Sequence, residues 1–238
     1  MNDYCGKKRW RGSGPRAIVQ GSLAAVAMLA VSSVACAAGK YQGGKSQDKR
    51  EEIARPTTPP AITPPAGNSV FLVGHATGTQ GYVCLPGSAG VSWTVNNARP
   101  EATLFANTSG ADVQIMTHFL SPNTNPNQFA PNPLPFGSPT WQNSVDSSKV
   151  WAQPGRAIAA GSDPSCPNAG SIPCLLLQII GSAQGPAGGK LLTETTFVQR
   201  LNTRGGSAPA AGCVAQADVG KQALVPYTAD YFFFRADR

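Results

Sequence analysis

The chain has 238 residues, with 19 Lys and Arg against 12 Asp and Glu, a net charge of +7 and 6 cysteines. The positive excess lies almost wholly ahead of residue 67, since residues 67–238 carry 9 basic and 8 acidic side chains. A segment so nearly neutral has no basic stripe to neutralise phosphates, which excludes a nucleic acid as partner.

Residues 1–37 read as an export signal. Lys7, Lys8, Arg9, Arg11 and Arg16 give a basic start, Ala17–Val34 is apolar and Ala-rich, and Ala35-Cys36-Ala37 offers small residues for cleavage. The alternative is a lipid anchor, because Val34-Ala35-Cys36 resembles the end of a lipoprotein signal and would make Cys36 the lipidated residue. Either way the chain is secreted or periplasmic, and it meets a membrane only through the signal or that anchor. Residues 38–66 are expected to form a flexible, proline-rich linker. The run Pro56-Thr-Thr-Pro-Pro-Ala-Ile-Thr-Pro-Pro65 forbids a helix and favours an extended, polyproline-like spacer.

Residues 67–238 read as one all-β domain, an antiparallel sandwich or barrel with little helix. Short β-rich stretches recur at Ser69–Ala76, Thr79–Leu85, Val91–Val95, Glu101–Ala106, Val113–Leu120, Thr140–Gln142, Val150–Ala160, Ile172–Ile180, Thr193–Asn202 and Leu224–Arg235. That is about ten strands with Gly, Pro, Asn and Ser between them, the pattern of a sandwich or barrel. Val214–Gly220 has room for one helical turn. Ser121–Gly137 has five prolines and no apolar period, so it reads as a long, loosely packed loop. In Thr193–Asn202, alternation puts Phe197, Gln199 and Leu201 on one face and Val198, Arg200 and Asn202 on the other.

Four cysteines fall beyond the export segment, and an exported chain meets an oxidising compartment, so disulfides are expected. Four cysteines allow three pairings. The pairing chosen is Cys84–Cys213, from an early strand to the turn after Asn202, with Cys166–Cys174 closing a short Pro/Asn/Gly loop. A zinc site would need paired spacings such as Cys-x-x-Cys, which are absent from the sequence.

Pro64-Pro65-Ala66-Gly67-Asn68, followed by His75-Ala-Thr-Gly-Thr-Gln-Gly-Tyr-Val-Cys84, resembles the start of the secreted family catalogued as domain of unknown function 3455. Pro100-Glu-Ala-Thr-Leu-Phe105, Pro139-Thr-Trp141, Gln199-Arg-Leu-Asn-Thr203 and Val225-Pro-Tyr-Thr-Ala-Asp-Tyr231 follow in the family's order, so the resemblance spans residues 64–236. It implies an exported protein of one domain and carries no activity. Ser121–Gly137 stands as an insertion against the family pattern. Cys174 stands where the family usually has Trp, next to an added Cys166, which supports the short bridge.

No complete catalytic set is visible. Met116 and His118 share a strand side and could hold copper, but a strand histidine is more often a hydrogen-bonded structural residue, and no metal or other cofactor is expected. Ser88 in Pro86-Gly-Ser-Ala-Gly90 lacks the first glycine of a nucleophile elbow. No Gly-x-Gly-x-x-Gly follows a strand, which excludes a dinucleotide fold. Asp230 is expected to pair with Arg200 on a neighbouring strand in a structural role. The candidate binding patch combines His118, Trp141, Gln199, Arg200 and Asn202. The reading is a binding or structural module of the cell envelope or extracellular space, with a carbohydrate or other envelope component as ligand. The rival is a small extracellular enzyme, metal-dependent or not, using His118 with Asp230.

Overall fold

The computed structural model describes residues 53–123 and 137–238, with the backbone alone for 97–100 and 154. Eight strands account for nearly all regular structure among them. They are β1 (Asn68–Gly87), β2 (Gly90–Thr108), β3 (Ala111–Ser121), β4 (Ser138–Asn143), β5 (Lys149–Ile158), β6 (Cys174–Ala183), β7 (Thr195–Gly205) and β8 (Gln222–Ala236). Each pairs antiparallel with the next, and β8 returns to β1, so the sheet closes into an up-and-down barrel. Closure removes the exposed edges that an open sheet would leave. Helix is confined to two 3-10 turns, Pro60–Ile62 and Gln216–Asp218, among the described residues.

The all-β reading holds, with eight long strands replacing the ten short ones. Ser69–Ala76 and Thr79–Leu85 are one strand, and Val91–Val95 continues into Glu101–Ala106. Gly78, between those two predicted stretches, lies inside β1. A Cβ there would meet the Glu101 carbonyl oxygen at 2.0 Å and the Ala102 Cα at 2.6 Å. Glycine is therefore required by the close approach of β2, and it interrupts no pairing.

Alternation along β8 shows how the sequence fills the barrel. Tyr227, Ala229, Tyr231 and Phe233 belong to the interior cluster with Leu104, Met116, Trp141, Val150, Leu177 and Val198. Thr228, Asp230 and Phe232 point the other way. An eight-stranded barrel has an interior just wide enough to be filled by side chains or to hold one small ligand.

A second cluster lies on the outside of β6–β8. Ile62, fully buried, packs there with Cys166, Cys174, Leu176 and Leu201, against Phe197 and Phe232. This corrects the expectation of a free spacer up to residue 66. The proline run is extended as its composition requires, with Pro59 at φ −58°, ψ 148°, but residues 53–66 are fixed to the barrel. The Gln199 amide donates to the Ile62 carbonyl at 2.6 Å, and the Arg55 guanidinium lies 5.7 Å from the centre of the Phe234 ring. Residues 1–37, read above as an export signal, residues 38–52 and most of the Ser121–Gly137 loop lie outside the described residues.

Both disulfides are present: Cys84–Cys213, with Cα atoms 5.6 Å apart, and Cys166–Cys174, 6.0 Å apart. The first ties the β7–β8 connection to β1. Tyr82 Oη adds a hydrogen bond to the Gly206 carbonyl at 2.6 Å, and Trp93 Nε1 one to the Ala211 carbonyl at 3.0 Å. The second closes a loop anchored on Thr203, whose hydroxyl donates to the Ile172 carbonyl at 2.6 Å.

Candidate functional site

One end of the barrel interior is left unfilled. The cavity there measures about 230 Å³ and is walled by Tyr82, His118, Trp141, Arg200 and Tyr231, with Leu120, Ile172, Pro173, Leu175 and Leu177. The two disulfide-held segments border it. Tyr82 is bonded to the β7–β8 connection, and Ile172 and Pro173 belong to the small cystine loop.

His118 on β3 and Trp141 on β4 are directly opposite in register. Their rings stack with centroids 4.3 Å apart and planes within 5°. Tyr231 tilts against both, at 5.6 and 5.8 Å. His118 Nδ1 lies 2.9 Å from the Thr140 carbonyl oxygen. A carbonyl only accepts, so Nδ1 carries the proton and the neutral ring keeps a lone pair on Nε2. Burial pushes the His118 pKa down to about 4; the Thr140 bond opposes the shift and Arg200 adds to it.

That shift has a measurable sign. Between about pH 6.5 and pH 4 the unfolded chain takes a proton that the folded one refuses, so stability falls as pH falls through that window. The full contribution is about 3 kcal/mol. Urea midpoints measured from pH 7 to pH 4 should decline less steeply for His118→Gln than for the wild type. Parallel slopes would show that His118 does not titrate this way.

Arg200 on β7 is 9% exposed and lines the same cavity. Its Nε and Nη2 donate to the Pro173 carbonyl at 3.2 and 2.8 Å. No carboxylate pairs with it among the described residues. The expected Asp230 partnership is therefore corrected. Register places Arg200 opposite Tyr231, inside, while Asp230 stands opposite Leu201 and faces out. Asp230 instead meets the His75 imidazole at 2.6 Å, directly across β1–β8, and accepts from Asn202 Nδ2 at 2.7 Å.

The sequence-derived patch thus divides. His118, Trp141 and Arg200 converge. Gln199 points outward beneath Ile62, and its Oε1 has no partner among the described residues. Asn202 should follow Arg200 inward by alternation, but a left-handed φ of 51° turns it outward to Asp230. His118 and Asp230, the pair of the enzymatic alternative, lie on opposite sides of the barrel wall. The contact that does exist, His75–Asp230, was not foreseen, because it depends on β1 closing against β8. Met116 is buried in the core cluster, and the described residues hold no group of three or more His, Cys, Asp or Glu suited to a metal.

Trp141 is fully buried, and its indole N–H has no hydrogen-bond partner among the described residues. Burial also raises the Tyr82 phenol above its ordinary value, with Arg200 opposing. The Tyr227 phenol is pushed up further by burial and by its neighbour Tyr231, whose hydroxyl lies 3.0 Å away.

The family model described as "Protein of unknown function (DUF3455)" matches residues 65–235, the whole barrel. The chain belongs to the DUF3455 family. No curated protein and no solved structure matches it. In this DUF3455 chain the cavity walled by His118, Trp141 and Arg200 is the candidate site.

Proposed function

We propose that this DUF3455 domain is an exported binding module whose barrel mouth takes a small, flat, largely apolar molecule. The observation that carries the reading is the unfilled cavity itself, walled mostly by apolar and aromatic side chains with the Arg200 guanidinium among them. A concave, mostly apolar pocket with a few polar groups in its wall is the usual form of a small-molecule site. The volume lies below the roughly 300–1,000 Å³ of drug-sized sites, which suits one or two rings. A sugar would need many polar partners, and this lining supplies few. Export is supported by the signal-like first 37 residues and the two disulfides. No helix among the described residues is long and apolar enough to cross a membrane.

Titration of the mature protein with 2-naphthamide, followed by calorimetry and tryptophan fluorescence, should show saturable binding at one site. Leu175→Trp, which fills part of the cavity with a larger side chain, should weaken it by about 10-fold or more. The same variant should keep its stability within about 1 kcal/mol, because the half-buried Leu175 side chain extends into free space rather than into packed core. Absence of saturable binding, by this amide and by the corresponding carboxylate alike, would leave the barrel a structural module.

A further inference from the structure

We infer that the molecule bound in the barrel mouth is an organic carboxylate, with Arg200 as the group that reads its charge. The inference rests on the binding reading above and adds the chemical class. Arg200 is more than nine-tenths buried in a mostly apolar cavity, and no described carboxylate balances it. A buried charge without a counter-charge is costly to keep. Two of its N–H groups are used on the Pro173 carbonyl, which fixes the plane of the fork and leaves the remaining donors. A planar guanidinium held in this way matches a carboxylate in two-point contact.

The rest of the wall agrees. The stacked His118–Trp141 pair and Tyr231 give the wall its aromatic character, and the leucines give it its apolar area. A single cation in an apolar setting suits a monoanion. A phosphate dianion would call for more positive charge than the cavity contains. The picture is a ring or short apolar body against Leu120 and Leu175, with its carboxylate turned to Arg200.

The test compares 2-naphthoate with its neutral isostere 2-naphthamide by calorimetry on the mature protein, and asks whether each displaces the other. The expected result is mutual displacement, with naphthoate bound about 10- to 100-fold tighter, the usual worth of charge-assisted hydrogen bonding. Arg200→Met should bring the two affinities to within about threefold while leaving that of the amide nearly unchanged. Arg200→Lys, which keeps a cation but loses the fork, should retain only part of the preference, and it serves if the methionine variant does not fold. Equal wild-type affinities would overturn the carboxylate assignment and leave the cavity reading standing. A preference that survives in Arg200→Met would overturn the role of Arg200. Failure of both compounds to bind would overturn the carboxylate and the cavity reading together.

Discussion

Replacing Cys84 and Cys213 together by alanine should destabilise the domain by about 5 kcal/mol, roughly twice the loss from replacing Cys166 and Cys174. The bridges differ in the length of chain they close: 129 residues of sequence separation against 8. In the chain-entropy account a disulfide acts by narrowing the unfolded ensemble, and the effect grows with the logarithm of loop length, giving about 5 kcal/mol for the long bridge and about 2.5 for the short one. For a domain of this size that difference is visible in a melt, since each kcal/mol moves Tm by about 2–4 °C. Calorimetric Tm values should fall by about 10–20 °C in the first double variant and by half as much in the second. Equal shifts would mean that the large loop retains structure when unfolded, or that the short bridge acts mainly by holding Ile172 and Pro173 against the barrel.

Phe233→Ala should cost about 4 kcal/mol, and Phe232→Ala less than half of that. These neighbours have opposite fates. Phe233 is fully buried inside the barrel, where its ring meets Trp141 edge-on at 6.2 Å. Phe232 is only partly buried, on the outer face against the Ile62 cluster. Truncating a core phenylalanine loses its transfer energy and leaves a void that a closed barrel cannot readily collapse. Chemical denaturation of the two variants measures both values. Equal losses would show that the assignment of inner and outer faces in β8 is wrong.

The same alternation explains what the sequence made legible. The β-class followed from turn residues and β-rich stretches, and the inward set of β8 could be read two residues at a time. His118, Trp141 and Arg200 could be chosen because their side chains can stack on or hydrogen-bond a ligand, and the sequence has only 2 histidines. Their neighbours Gln199 and Asn202 were misplaced for separate reasons. Gln199 lies on the outer face, as the alternation of Thr193–Asn202 already separates it from Arg200, so it could not share one patch with it; it is buried there because residues 53–66 return to cover it. Asn202 leaves the alternation through one left-handed residue beside the bulge between Leu201 and Arg204. Asp230 was matched to the wrong partner because strand pairing across the closure, β1 to β8, joins residues 155 apart in sequence. Gly78 looked like a boundary because a glycine required by a passing backbone and a glycine required by a turn are the same letter.

The segment ahead of β1 also decides where a usable fragment begins. A chain started at residue 67 would uncover Leu176, Leu201 and Phe232, remove the acceptor of the Gln199 amide, and take Arg55 from the face of Phe234. Such a fragment would carry a greasy stripe down its side and adhere to other copies of itself. Expression trials should therefore set the first residue at or before Ile53, and clumping in anything shorter should be blamed on the cut rather than on the barrel.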